Sequence, residues 1–303
     1  MATMTEVPEA VKKQAPSHDY HAEAHVLNGH LQRPIEQKIE PHAPVKLKDR
    51  RGGHLTRFTK QVSIEGLVSF TKGKTRVSGS RSLKTNGWVT LSTSTLEGLN
   101  VFEVVTADRI VSQVSTEHAY ENGHVPHVTF LGTQFTDLRV SGFPVMLTLN
   151  LGICGDRPGG GRSYLQDPSF LKQVKEQTTK IAKANGLPKA LRDQYDEKLV
   201  HIEQLIRTCD SDGREPRGPI TCSLVETIGE IPIPGVQTFG HVLVLPEFGF
   251  VALGEIEVGE KLYEGSSRPC VYFALTGIKT KLGCVGDGEV SGANSVANGA
   301  HKP

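Results

Sequence analysis

From Lys60 onward, apolar and polar residues alternate in short runs that are rich in β-branched side chains. Gly, Asn, Asp or Pro separates one run from the next, as in KQVSIEGLVSF, GWVTLST and LNVFEVVTADRIVSQVST. Alternate side chains of a strand face opposite sides of a sheet, so a period of two with frequent turn residues indicates antiparallel strands. The pattern predicts a mainly β protein, built as a β-sandwich or as barrel-like antiparallel sheets.

The period changes from two to that of an α-helix after the glycine-rich segment GDRPGGGRS. Asp167 before Pro168 predicts a helix N-terminus, and Gly186 predicts a break between two helices. Each helix places apolar residues on one face, namely Phe170, Val174, Thr178 and Ile181 in the first and Leu191, Tyr195, Leu199, Ile202 and Ile206 in the second. The sequence predicts an inserted helical hairpin at about 168–209, which either covers an open sheet face or carries a function of its own.

Composition divides the chain into six segments. The N-terminal residues are rich in His, Pro and charge, and the C-terminal residues are small and polar. The predicted segments are a disordered His-rich tail (1–25), an extended arm (26–55), the first part of a β domain (56–154), the glycine-rich loop and hairpin (155–218), the second part of the β domain (219–288) and a frayed tail (289–303). The arm alternates in places as an edge strand does, so it is predicted to add a strand to a neighbouring chain.

The net charge of +1 argues against a polyanion-binding role for the protein as a whole, so nucleic acid is not an expected partner. The charge is uneven, because residues 1–60 carry ten Lys and Arg against seven acids, whereas residues 210–290 carry twelve acids against six bases. This asymmetry favours self-association or another protein as the partner. We find no apolar run of the ~18 residues that a membrane span needs. The N-terminal sequence lacks the apolar core of a secretory signal, which predicts a cytoplasmic protein unless export follows another route.

The five cysteines are widely spaced and include no C-x-x-C pair. An odd number with this spacing is not typical of a disulfide framework, so buried free thiols are expected. Cys209 and Cys222 flank a short polar loop and form the one plausible bridge.

Three segments have the strand rhythm of a known family of surface domains. They are VTLSTSTLEGLNVFEVVTADRIVSQVSTEH, VTFLGTQFTDLRVSGFPV and TFGHVLVLPEFGFVALGEIEV. Together they resemble bacterial choice-of-anchor surface domains, in which a GL…VTAD strand leads to an F.DL.V.G.PV strand and later to a hairpin. The resemblance implies an exported, non-enzymatic β module, and the helical hairpin departs from that pattern.

The stretch HDYHAEAHVLNGH contains His21 and His25 four residues apart, with Glu23 between them. On a helix the two imidazoles would share a face while Glu23 would lie ~200° away, so the carboxylate could not polarise a water on their metal. The HAE triplet also lacks the paired cysteines of a zinc deaminase. We interpret the stretch as a mobile tail, with adventitious metal binding by a His-rich tract as the alternative.

A denser set of candidate metal ligands lies in TEHAYENGHVPH, which is predicted to be a loop between two strands. It comprises Glu117, His118, Glu121, His124 and His127. Imidazoles with a carboxylate suit zinc, iron or manganese, although polar loops produce such clusters by chance. The sequence therefore leaves two hypotheses. One is a non-catalytic binding or assembly module without a cofactor, self-associating through its arm. The other is an enzyme that uses a transition metal such as zinc at residues 117–127, with Glu117 or Glu121 as ligand or general base.

Three further motifs fail the spacing tests for familiar sites. GDRPGGGRS has Gly161 where a phosphate loop needs lysine. DSDG, at 210–213, is followed by Glu215 where a calcium loop needs glycine. The basic patch KLKDRRGGHLTR either contacts phosphates or is a solvated face.

Overall fold

The computed structural model describes residues 17–120, 124–209, 215–263, 268–283 and 287–302. The chain is mainly β, with antiparallel sheets and two helices, as predicted. In chain order the strands are β1 (Ser17–Arg33), β2 (Gln37–Ile39), β3 (Val45–Asp49), β4 (Gly53–Thr59), β5 (Val62–Ile64), β6 (Val68–Phe70), β7 (Lys72–Arg81), β8 (Trp88–Val101), β9 (Val105–His118), β10 (His127–Thr129), β11 (Gln134–Thr136), β12 (Arg139–Val140), β13 (Phe143–Pro144), β14 (Leu147–Leu149), β15 (Ile220–Ser223), β16 (Val225–Ile228), β17 (Gln237–Phe239), β18 (Val242–Leu245), β19 (Gly249–Lys261), β20 (Cys270–Leu282) and β21 (Asp287–Lys302). The helices are α1 (Pro168–Ala182) and α2 (Lys189–Arg207), preceded by a 3₁₀ helix (Tyr164–Gln166).

Two large sheets, named A and B, pack face to face. Sheet A has the order β17-β18-β19-β20-β21-β1-β2, with β15 paired to β19 and β3 paired to β1. Sheet B has the order β13-β12-β9-β8-β6-β5, with β7 paired to β8, β4 to β7, and β10 and β11 to β9. The sheets do not form a closed barrel, which settles that alternative of the predicted fold class. Each sheet therefore has an inner face toward the other sheet and an outer face.

The two sheets approach closely where β8 crosses β1. The hydroxyl of Ser92 donates to the carbonyl of Glu23 at 2.7 Å, and that of Ser94 donates to the carbonyl of His25 at 2.8 Å. Both serines are fully buried. Small hydroxyl side chains allow this contact because they need little space and satisfy buried backbone carbonyls.

The helical hairpin begins and ends close to the predicted bounds. Asp167 caps α1 through hydrogen bonds from the backbone amides of Ser169 and Phe170, and Pro168 is its first residue. The predicted apolar faces are buried, apart from Leu199 and Ile206, which are half-buried. One end of the hairpin packs Phe170, Val174 and Ile202 against strands β19 and β20, and the other packs Ile181, Leu191 and Tyr195 against Phe239, Val242 and Ala252. The hairpin thus packs at the β15–β19 edge of sheet A.

The predicted disordered tail is wrong for residues 17–25, which form half of β1. This strand pairs with β21 on one side and with β2 and β3 on the other. Its alternate residues Tyr20, Ala22 and Ala24 are buried. Residues 1–16 lie outside the described part of the chain. The arm at 26–55 is also not free, because its strands pair within this chain.

The frayed tail predicted at 289–303 is wrong as well, because β21 lies between β1 and β20. Its inward residues are small, and Ala293, Ser295 and Ala297 are fully buried. None of the helices in the described ranges is long and apolar enough to cross a membrane.

The cysteine bridge between Cys209 and Cys222 is not present, since both are free, as are Cys154 and Cys270. Cys284 lies outside the described residues. Burial raises the pKa of the Cys222 thiol to about 12, and it also raises the pKa of Cys154.

We expect Cys154 and Cys222 to stay unreactive toward a thiol reagent such as DTNB in the native protein, because a buried thiol forms little thiolate. Both should react once guanidinium unfolds the chain without a reductant. Protection of Cys209 and Cys222 in the unfolded, unreduced protein would indicate that they are bridged after all.

Candidate functional site

The predicted metal ligands Glu117 and His118 lie at the end of β9 and face opposite sides of sheet B. His118 is fully buried between the sheets, and its ring centroid lies 4.6 Å from that of His18. His18 in turn stacks on Trp88 at 5.4 Å. The alternation of a strand therefore directs His118 toward an interior aromatic cluster and away from its sequence neighbours.

Glu117 and His127 lie together on the outer face of sheet B. Glu117 is opposite His127 in the β9–β10 register and accepts a 2.5 Å hydrogen bond from the hydroxyl of Thr85. His124 is half-buried, with its Nε2 at 3.3 Å from the carbonyl of Gly161. Glu121 lies outside the described residues. In the part of the chain that the structure describes, no three His, Cys, Asp or Glu side chains are arranged to hold a metal, so the metal centre stays a prediction.

The histidine-rich stretch is a strand, so its geometry differs from the helix considered above. His21, Glu23 and His25 occupy alternate positions of β1 and share the outer face of sheet A. His21 and His25 are four strand residues apart, or ~13 Å, which is too far for one metal ion. Instead, His21 and Glu23 line a groove.

This groove, named groove A, has a volume of about 420 Å³ and crosses β3, β1, β21, β20 and β19. Its lining residues are His21, Ala22, Glu23, Lys46, Lys48, Glu257, Lys261, Tyr263, Tyr272, Ala274, Val296 and Asn298. Tyr263 follows β19 and stacks on His21 of β1 at 4.4 Å, and it accepts a hydrogen bond from the Asn298 amide of β21. Tyr263 therefore covers one end of the groove.

The opposite wall of groove A is fixed by contacts of Tyr272. Its hydroxyl donates to Glu257 at 2.7 Å, and the Lys261 ammonium lies 4.3 Å from its ring centroid. Gly259 is required here, because an added Cβ would lie 2.5 Å from the Tyr272 ring. This wall is therefore held rigidly by side-chain packing.

Three titratable groups of groove A, the two tyrosines and His21, are held in their neutral forms. Burial raises the pKa of the Tyr263 hydroxyl to about 12, and burial with the Glu257 hydrogen bond raises the pKa of Tyr272 further. Burial and the charge of Lys48 lower the pKa of His21. At neutral pH the groove thus offers phenol donors and an uncharged imidazole.

A second groove, named groove B, lies on the outer face of sheet B with a volume of about 400 Å³. It is lined by Lys72, Lys74, Arg76, Leu91, Thr93, Thr95, Glu97, Arg109, Val111, Gln113, Gly132 and Gln134. Four of these side chains are cationic and one is a carboxylate. Among the described residues, Lys72 alone of the four cations has an ion-pair partner, Glu97 at 3.6 Å.

Three of the four cations of groove B lie on one strand, and the fourth is distant from them in the sequence. Lys72, Lys74 and Arg76 alternate along β7 and therefore share its outer face, about 7 Å apart. Arg109 reaches the same face from β9, with β8 between them. The segment KGKTR could have predicted this charged face, because cations at every second position of a strand point to the same side of the sheet. Our sequence interpretation considered apolar periodicity and the compact basic patch KLKDRRGGHLTR, and neither reveals cations at a period of two.

The basic patch KLKDRRGGHLTR is divided between β3 and β4, and two of its cations are paired. Lys46 lies 2.5 Å from Glu23, and Arg50 lies 2.9 Å from Asp19. Phe58, next to Arg57, is 64% exposed and lies under the Lys74 ammonium at the rim of groove B. The DSDG segment at 210–213 lies outside the described residues.

Comparison with known proteins gives one match. A family model described as Domain of unknown function (DUF8256) matches residues 18–259, from β1 into β19. No protein with a curated description and no solved structure matches the chain.

Proposed function

Because this chain belongs to the family Domain of unknown function (DUF8256), a description that names no ligand, we propose its function from the geometry of its surface. The function we propose is that of a non-catalytic binding module that holds an anionic polysaccharide in groove B. The observation that carries the proposal is the concentration of four cations against one carboxylate in a single groove.

The charge of groove B is local. The whole chain has a net charge of +1, whereas the side chains that line this groove sum to +3, from four cations and one carboxylate. A concave surface of one sign concentrates ligands of the opposite sign and accelerates their association. The near-neutral composition argued against a polyanion partner for the protein as a whole. The charge of this groove differs from that average, so the argument does not apply to it.

The neutral residues of groove B favour a polysaccharide over a nucleic acid. Threonine hydroxyls and glutamine amides lie between the cations and match sugar hydroxyls, which both donate and accept hydrogen bonds. The described residues that line the groove include no aromatic ring, and Phe58 at the rim is covered by the Lys74 ammonium, so the groove itself offers bases no stacking platform. The cations on β7, spaced about 7 Å apart, suit a chain that carries repeated sulfate or carboxylate groups.

We expect the double substitution Lys74→Glu with Arg76→Glu to weaken binding of heparin, the probe, by at least about tenfold at ~0.1 M salt, because it reverses two unpaired charges of the groove. The remaining affinity should depend less on salt, since fewer ion contacts form. Isothermal titration calorimetry over a series of salt concentrations measures both effects. Both side chains are exposed, so the variant should stay folded.

The matched control is Lys172→Glu with Lys189→Glu, two exposed helical residues that give the same change in net charge. The control should bind heparin as the wild type does. An equal loss of heparin affinity in both variants would show that the effect depends on net charge alone, and this would overturn the proposal. Tighter binding of single-stranded oligothymidine than of heparin would also overturn it, in favour of a nucleic acid.

A further inference from the structure

We infer that groove A is a second, independent ligand site, and that it takes an uncharged, hydroxyl-rich molecule, a short neutral oligosaccharide. Groove A lies on the outer face of sheet A, whereas groove B lies on the outer face of sheet B, on the other side of the sandwich. The two sites share no lining residue. This inference does not depend on the ligand proposed for groove B.

The charges of groove A nearly balance. Glu23 is paired with Lys46 at 2.5 Å, and Glu257 accepts the hydroxyl of Tyr272 at 2.7 Å. Three lysines and two glutamates line the groove in total. Such a surface gives no strong preference for a charged ligand, but it presents fixed donors and acceptors on both walls.

The floor of groove A is apolar and its sides are polar. Ala274 and Val296 lie side by side on β20 and β21, and Glu257 and Glu23 flank them on the neighbouring strands. Small side chains between long ones produce the depression. Sugar rings have the matching division, with C–H groups on their faces and hydroxyls around their edges, so a ring on this floor reaches both walls.

The donors and acceptors at the foot of groove A are preformed. Asn298 is 2% exposed, and its Oδ1 has no hydrogen-bond partner in the described part of the chain. The adjacent Tyr263 hydroxyl and the neutral His21 imidazole can each donate or accept. Hydroxyl groups satisfy both roles, whereas an anion only accepts. Because five strands and two packed tyrosines hold the walls, little ordering cost opposes binding.

The volume of about 420 Å³ lies within the ~300–1,000 Å³ range of small-molecule sites. An oligosaccharide of two or three rings would leave its ends at the open edges of the groove. The occupant we propose is therefore a short segment of a neutral glycan.

The test is a glycan array of neutral and anionic oligosaccharides, followed by NMR titration of the neutral compound that binds best. We expect chemical-shift changes at Tyr263 and Asn298. The substitution Ala274→Leu, which fills the floor from a half-buried outward position, should weaken binding by roughly tenfold or more. Ser291→Leu is the matched control, on the same outer face but outside the groove, and should bind as the wild type does.

Lys74→Glu with Arg76→Glu should leave this neutral ligand unaffected, which separates the two sites. The inference is overturned if no neutral oligosaccharide of the array binds, or if Ala274→Leu and Ser291→Leu weaken binding equally. It is also overturned if the ligand shifts signals of groove B and not those of Tyr263 and Asn298. Loss of heparin binding in the groove B variant would not bear on this result.

Discussion

A chain that ends at residue 286 should not fold. The deletion removes β21, which pairs with β1 on one side and with β20 on the other. Its loss would leave two long strands with unpaired, buried backbone groups and would expose the inner faces of both sheets. Domains are stable by only ~5–15 kcal/mol, so the loss of a central strand exceeds what the fold can tolerate. Circular dichroism and thermal unfolding would show the absence of a cooperative transition.

A point substitution tests the same strand without truncation. Ala297 is fully buried between the sheets, so Ala297→Asp should lower the free energy of unfolding by about 3 kcal/mol or more, because it buries a carboxylate. Ser291→Asp, an outward position on the same strand, should cost less than about 1 kcal/mol. A truncated chain that still unfolds cooperatively, or equal effects of the two substitutions, would show that β21 is dispensable.

The truncation also bears on where the domain ends. The family match stops at residue 259, within β19, yet β20 and β21 complete sheet A and connect β19 to β1. A fragment cut at the end of the match would lack the strands that hold β1 in place. The folding unit therefore extends beyond the matched residues.

The strands between Lys60 and Leu282 were predictable because they combine β-branched residues with turn signals. Residues 17–25 of β1 and the last strand were not, because most of their buried positions hold small or polar residues, such as Ala22, Ala24, Ala293, Ser295 and Ala297. Those small residues are needed where the sheets approach closely, as at Ser295, whose hydroxyl donates to the carbonyl of Ser112 at 2.9 Å. Small and polar residues at the ends of a sequence are typical of tails, so composition predicted disorder for two central strands.

The candidate sites show a similar limit. The loop at 117–127 was selected for its local density of ligands, but the alternation of β9 directs His118 away from Glu117 and His127. Groove A joins β1, β3, β19, β20 and β21, whose contact depends on which strands become neighbours. Strand order is set by long-range packing. A single sequence therefore indicates the charged face of β7, but it does not show which other strands complete groove B or groove A.

The helical hairpin is held to sheet A by a buried polar network. The free energy that this network contributes to stability should depend on pH. Glu255 of β19 lies 3.7 Å from the Lys198 ammonium of α2 and 3.8 Å from Nε2 of His241. The hydroxyl of Tyr195, also on α2, lies 3.1 Å from the same His241 nitrogen. At 3.8 Å the contact between His241 and Glu255 is electrostatic and too long for a good hydrogen bond.

Burial alone would raise the pKa of Glu255, but His241 and Lys198, with a contribution from Lys279, outweigh it and lower the pKa to about 2. A carboxyl whose pKa is lower in the folded state stabilises the protein above its unfolded pKa of about 4.5. That stabilisation, about 3 kcal/mol, is lost as the pH falls from about 4.5 to about 2.

We therefore expect Glu255→Gln to lower the free energy of unfolding by about 2–3 kcal/mol at pH 7, because it removes the charge that holds Lys198 and His241. Near pH 2 the wild type and the variant should be almost equally stable, since the wild-type carboxyl is then about half protonated and most of its stabilisation has been lost. Urea unfolding at both pH values measures the difference, and Glu226→Gln, at an exposed position of β16, is the matched control with little change at either pH. A loss for Glu255→Gln that is the same at pH 7 and near pH 2 would contradict the assignment, because a packing defect does not titrate.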